Sequence, residues 1–227
     1  MPLERIKKRI DRIDHRRSHH EKLIDDGAWI SLYSCQDFRV EMLDEPGPQP
    51  QPMFKVTHAF SSVCDADSIA DLSDIDMVVD CFRDFREVIP FVTPVTPEPG
   101  IWIQKVIYQY YYGARRIPIE MNMVSKLCED DDGNKFVGIL TVESLPGMKK
   151  EPLSSIGKFE LNQFVMDAPQ NKTLSKELVT VIKIGHGNLY TKDYKLNIAQ
   201  KMITSWAKRY NTKVQATNNR SKRAAKM

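Results

Sequence analysis

Residues 101–113 read Ile101-Trp102-Ile103-Gln104-Lys105-Val106-Ile107-Tyr108-Gln109-Tyr110-Tyr111-Tyr112-Gly113. β-Branched and aromatic side chains dominate this run, which favours a strand buried on both faces over a helix. Downstream, Ile117, Ile119, Met121 and Met123 alternate with Pro118, Glu120 and Asn122. The turn residues Asp132-Gly133-Asn134 then lead into a second run from Phe136 to Glu143, which is a hairpin signal. Phe159 to Met166 and Leu178 to Ile184, parted by Asp167-Ala168-Pro169-Gln170-Asn171, are expected to form a further antiparallel pair. Upstream, Phe54 to Phe60 alternates as a strand, and Trp29 to Ser34 and Phe38 to Leu43 are two shorter ones. Between them Ile75, Val78, Val79, Phe82, Phe85 and Ile89 recur at helical spacing, which predicts a helix from Asp74 to Ile89. Several strands without regular βαβ alternation imply an α+β fold: an antiparallel β-sheet packed by one or two helices, with a basic N-terminal arm and a basic C-terminal helix and tail.

The ends are set apart by charge. The 227 residues carry a net charge of only +3, yet residues 1–22 hold 8 basic and 4 acidic side chains, residues 23–191 hold 15 and 25, and residues 192–227 hold 10 and 1. Polyanions would be drawn to the ends and repelled by much of the middle. The expected organisation is a basic amphipathic arm over 1–43, a proline-rich linker over 44–53, an α+β core over 54–190, a basic helix over 191–210 and a flexible basic tail over 211–227.

In the arm, Leu3, Ile6, Ile10 and Ile13 fall on one helical stripe among Arg5, Lys7, Lys8, Arg9, Arg12, Arg16 and Arg17. Such a stripe packs on its own domain or on a partner chain, or lies on an acidic membrane with its cations at the headgroups. In the last helix Tyr194, Ile198, Met202, Trp206 and Tyr210 recur every fourth residue, widened by Ala199 and Ile203. The cations Lys208, Arg209, Lys213, Arg220, Lys222, Arg223 and Lys226 are the expected nucleic-acid-binding or nuclear-targeting residues.

Reactive chemistry is sparse. Cys35, Cys64, Cys81 and Cys128 contain no C-x-x-C pair, and neither phosphate-cradling glycine motif occurs. His15 and His19 have metal-sharing spacing, but their surroundings are cationic. No cofactor, no metal and no enzymatic activity are expected. The N-terminal residues lack the apolar region of a secretory signal, so synthesis in the cytosol is expected, with any membrane reached from its surface.

Taken in order, the basic arm, the proline-rich linker, the strand at 54–60, the helix at 74–89, the strand at 101–112 and the later strands resemble the plan of rhabdovirus matrix proteins. Leu145-Pro146-Gly147-Met148 and Gly157-Lys158-Phe159-Glu160-Leu161 are similar to corresponding points in that family. The resemblance implies a viral structural protein of the virion. It would self-associate through Leu3, Ile6, Ile10 and Ile13 and bridge the viral nucleocapsid (nucleoprotein-RNA) to anionic membrane through its N-terminal cations. It would be located beneath the viral membrane, in host cytoplasm or at the membrane periphery, with host import factors as partners for passage into the nucleus. The alternative is a single-stranded nucleic-acid-binding viral accessory protein, with a movement or silencing role.

Overall fold

The computed structural model describes residues 2–43, 52–60, 77, 80–81, 85–90, 101–112, 115–129, 135–142, 157–167, 176–186 and 192–224. In chain order these include α1 (Pro2–Asp26), β1 (Ile30–Ser34), β2 (Phe38–Leu43), β3 (Met53–Phe60), β4 (Phe85–Pro90), β5 (Ile101–Tyr112), β6 (Arg115–Glu129), β7 (Lys135–Val142), β8 (Gly157–Asp167), β9 (Lys176–His186) and α2 (Lys192–Ala224). The nine strands form one sheet in the order β1-β2-β3-β9-β8-β7-β6-β5-β4, and each neighbouring pair is antiparallel. The fold is α+β. Two meanders, β1 to β3 and β4 to β9, meet where β3 pairs with β9 from Met53↔Lys183 to Phe60↔Lys176.

Three stretches depart from the sequence reading. Residues 30–43, expected to belong to a separate arm, extend the sheet through the β2–β3 pairing of Phe38↔His58 to Leu43↔Met53. The helix expected to reach Ile89 gives way to strand: Met77 and Asp80 are helical, Cys81 is a turn, and Phe85–Pro90 pairs with β5 as β4. The stretch from residue 211, expected as a mobile tail, continues α2 as far as Ala224. The reason is that Val214 and Asn218 carry the buried stripe two turns past Tyr210. The proline-rich segment lies outside the described residues except for Pro52 and Met53.

The helices cover opposite faces of the sheet. Along β2 the inward set is Phe38, Val40 and Met42, along β3 Phe54, Val56, His58 and Phe60, along β9 Leu178, Thr180 and Ile182, and along β8 Leu161 and Gln163. On this face lies α2, burying Ala199, Ile203, Trp206, Ala207, Tyr210 and Val214 in the main core. Full burial of large apolar side chains contributes roughly 1.5–3 kcal/mol each, so packing rather than local propensity holds this basic helix. Lys222 and Arg223 in its last turn also suit the negative end of the helix dipole.

The other face carries Met53, Phe164, Val179 and Val181, against which Leu23, Ile24 and Trp29 pack. There α1 ends in a tight cap: the carbonyl of Leu23 accepts the Gly27 amide at 3.0 Å and the Trp29 indole N–H at 2.8 Å. A Cβ at Gly27 would lie 2.6 Å from that carbonyl, so the cap needs glycine.

Candidate functional site

Among the described residues, the sheet face under α2 is apolar except for Ser125 on β6 and one group of neutral polar side chains on β3, β8 and β9. Strand alternation aims His58, Gln163 and Thr180 inward beside Val56, Leu161 and Ile182, and α2 lowers Tyr210 onto them. Gln163 Nε2 donates to Tyr210 Oη at 2.9 Å and approaches Thr180 Oγ1 at 3.4 Å. His58 Nε2 lies 3.2 Å from the carbonyl of Ala207, an acceptor, which fixes the tautomer with the proton on Nε2. The imidazole is enclosed by aromatic rings: it stacks on Phe38 at 5.6 Å and meets Tyr210 at 5.1 Å and Trp206 at 6.2 Å edge to face.

These four residues are buried and uncharged. Burial pulls the His58 pKa from 6.5 to about 4, against the opposing pull of the Ala207 carbonyl. The Tyr210 phenol is pushed well above its ordinary value, chiefly by burial, so it stays protonated. Two buried atoms of this cluster, Gln163 Oε1 and His58 Nδ1, have no hydrogen-bond partner among the described residues. Both are acceptors. An unsatisfied buried acceptor costs about 1–3 kcal/mol, which a hydrogen-bond donor from a bound molecule or water would recover. The cluster can orient a neutral polar group in an apolar interior, but it pairs no nucleophile with a base.

The opposite face holds charge. Glu160 and Lys183 are cross-strand partners between β8 and β9, both at least nine-tenths buried. From α1, Arg16 Nε approaches Glu160 Oε2 at 3.7 Å and His20 Nε2 lies 4.0 Å from the same oxygen. Asn162 Nδ2 donates to His20 Nδ1 at 2.9 Å, leaving the His20 proton on Nε2 toward Glu160. Burial first, then His19, Lys183 and Arg16, lower the His20 pKa to about 3.

These contacts locate the residues expected to bind partners. Ile13 is buried against its own sheet, fitting over Gly138, and Ile10 is half-buried. Arg16 is engaged by Glu160, Arg17 lies over the Phe164 ring at 5.4 Å, and Lys7, Lys8 and Arg12 are exposed. The side chains of Leu3, Arg5, Ile6 and Arg9 lie outside the described residues, as does Lys226. On α2, Lys208, Lys213, Arg220, Lys222 and Arg223 are exposed, while Arg209 donates from Nε to the carbonyl of Cys81 at 2.6 Å and from Nη1 to Ser205 Oγ at 2.7 Å. The Cys81 thiol, raised to about 11 mainly by burial, is protonated and unreactive at neutral pH. Among the described residues no cluster of metal-binding side chains occurs and no helix is long and apolar enough to cross a membrane.

A nine-stranded antiparallel sheet gripped by a long C-terminal helix has close structural counterparts. Human StAR-related lipid transfer protein 5 matches over 94% of this chain and 96% of its own, with a TM-score of 0.68 at 11% identity. The fold is that of the StAR-related lipid transfer domains. Human STARD10 gives a TM-score of 0.66 at 9% identity, over 88% of this chain and 78% of its own. The human StarD13 (DLC2) lipid transfer and protein localization domain gives 0.60 at 10%, over 86% and 93%. No protein-family model matches the sequence, and no curated protein matches it.

This fold overturns the resemblance to rhabdovirus matrix proteins, and with it the viral structural role and its partners: nucleocapsid, anionic membrane, self-association and host import factors. The nucleic-acid-binding alternative falls with them. The physical cause lies in the amphipathic ends. Ile13 of the N-terminal stripe is met by the protein's own sheet at Gly138, the C-terminal stripe by the sheet face under α2, and part of the N-terminal charge by Glu160.

Proposed function

We propose that the protein binds a lipid between α2 and the sheet face beneath it, and carries it without chemical change. The observation that carries this reading is the whole-chain likeness to the StAR-related lipid transfer protein 5 fold. The buried cluster supports it and narrows the ligand. On the described part of this face the buried polar groups are neutral, whereas the buried charges Glu160 and Lys183 face α1. An ionised headgroup would find no counter-charge at His58, Gln163, Thr180 or Tyr210, and burying an unpaired charge is costly. A hydroxyl suits them: it donates to Gln163 Oε1 or His58 Nδ1, the two acceptors left over. The favoured ligand is therefore a neutral lipid with a free hydroxyl, such as a sterol or a diacylglycerol.

Transfer of fluorescent sterol and diacylglycerol analogues between phosphatidylcholine vesicles tests this. The rate is expected to rise in proportion to added protein, and Gln163→Leu is expected to lower transfer of the hydroxylated analogue relative to its O-methyl ether. Transfer at the protein-free rate for every analogue would contradict lipid binding. Equal handling of alcohol and ether by the parent protein would contradict the hydroxyl contact alone.

A further inference from the structure

Outside the α2–sheet interior, a groove of about 360 Å³ runs between edge strand β1 and the outer side of α2, lined by Leu32, Gln200, Lys201, Thr204, Ser205 and Lys208. Lys201, Thr204, Ser205 and Lys208 stand at i, i+3, i+4 and i+7, so one face of the helix supplies two ammonium groups and two hydroxyls side by side. Among the described residues no carboxylate lines the groove. Lys208 Nζ sits 4.9 Å from the centre of the Tyr33 ring, a cation–π contact that holds it at the wall without a carboxylate partner among the described residues. Lys201 is exposed, with no carboxylate paired to it among the described residues. Ser205 Oγ already accepts from Arg209 Nη1 at 2.7 Å, so its own O–H is left to donate. Gln200 lies over Met42, whose strand partner is Ile30, 58% exposed. The groove thus joins a concentrated set of donors to an apolar wall at Leu32.

We propose that this groove is a binding site for a phosphate monoester, with Lys201 and Lys208 neutralising the dianion and the hydroxyls of Thr204 and Ser205 donating to its oxygens. A tetrahedral anion with several acceptor oxygens matches this donor set, and charge-assisted hydrogen bonds are about twice as strong as neutral ones. The site is independent of the lipid-binding interior: it uses the solvent side of α2, whereas Trp206 and Tyr210 point into the core.

Isothermal titration calorimetry of the full chain with inorganic phosphate, glycerol 3-phosphate and monomeric dihexanoyl phosphatidic acid tests the proposal. All three are expected to bind at one site. Comparable affinities for the first two and the lipid assign recognition to the phosphate itself, and tighter binding of the lipid assigns part of it to the apolar wall at Leu32. The double variant Lys201→Gln/Lys208→Gln is expected to weaken binding by about tenfold or more. Arg220→Gln/Arg223→Gln removes the same charge from the same helix outside the groove and is expected to change affinity less than about twofold, because screened distant charges contribute little. Equal losses in the two variants would mean diffuse attraction to a basic helix and would overturn the site, as would no heat with any probe at millimolar concentration. The groove lysines are exposed, so an unchanged circular dichroism melting curve is expected and keeps the result interpretable. Sterol transfer by the groove variant is expected to match the parent, which separates failure here from failure of the lipid-binding reading.

Discussion

The two faces of the sheet bury polar groups by opposite means. Under α1, Glu160 and Lys183 of β8 and β9 and Arg16 of α1 form an ionic cluster, with the neutral His20 imidazole beside Glu160 and held by Asn162. Under α2, on the same two strands, the cross-strand pair Gln163 and Thr180 stands three residues along from Glu160 and Lys183 and meets Tyr210 without any net charge. A single register therefore sends charges to one side and neutral hydrogen-bonding groups to the other. Unpartnered buried acceptors occur under both helices: Asn162 Oδ1 under α1 stands beside the buried charges, whereas Gln163 Oε1 and His58 Nδ1 under α2 stand among neutral groups, where a donor from elsewhere meets no competing charge.

The largest expected effect tests the α2 face as the stability centre. Trp206 is fully buried, and Trp206→Ala is expected to cost about 3–5 kcal/mol in denaturant unfolding, more than any single change under α1. A cost below that of the α1-face variants would reverse the comparison.

The pH dependence comes next. His58 and His20 have folded pKa values near 4 and 3 against 6.5 when unfolded, so the unfolded state binds more protons below pH 6.5. Their contribution is complete above pH 6.5 and is lost as pH falls towards 4, at about 1.4 kcal/mol per pH unit for each. His58→Gln and His20→Gln are each expected to remove one such increment from the slope of unfolding free energy between pH 6.5 and 4.5. A slope unaltered by either substitution would show that the imidazole is not held neutral.

Gly138 sharpens the α1 side. A Cβ there would lie 2.6 Å from Ile13 Cγ2, so Gly138→Ala is expected to cost about 1–3 kcal/mol by lifting α1. Combining it with Ile13→Ala is expected to give less than the sum of the two losses, and strict additivity would mean that the helix does not dock on that strand. The smallest effect is expected from the exposed pair in which Lys126 Nζ donates to Asp14 at 2.7 Å: a double-mutant cycle is expected to yield less than about 1 kcal/mol.

Much of this architecture is legible in the sequence, and the failures have physical causes. Alternation located β3 and β6, the β-branched and aromatic run located β5, and turn residues between apolar runs located the β6–β7 and β8–β9 hairpins. β4 was hidden because Phe85 and Ile89 also complete a helical spacing begun at Ile75, and periodicity alone does not separate the two over so few residues. The stripe of α1 was visible but not its partner: an apolar face reads the same whether it meets another chain or its own sheet. The informative residue was Gly138, an isolated glycine within a strand, which signals close approach by something else. The α2-face cluster also left a trace. Gln163 shares its strand face with Leu161 and Val165, and His58 shares one with Phe54, Val56 and Phe60, so each is a polar residue at a core position. That they converge on Tyr210 follows only from the β3–β9–β8 order, a pairing between distant parts of the chain that local pattern does not encode.

Native mass spectrometry of the full chain after incubation with phosphatidylcholine vesicles containing cholesterol and diacylglycerol tests the central claim most directly. The account predicts a one-to-one complex carrying the mass of a hydroxylated neutral lipid, diminished in Gln163→Leu. A spectrum of protein alone, or of phosphatidylcholine adducts indifferent to that substitution, would contradict it.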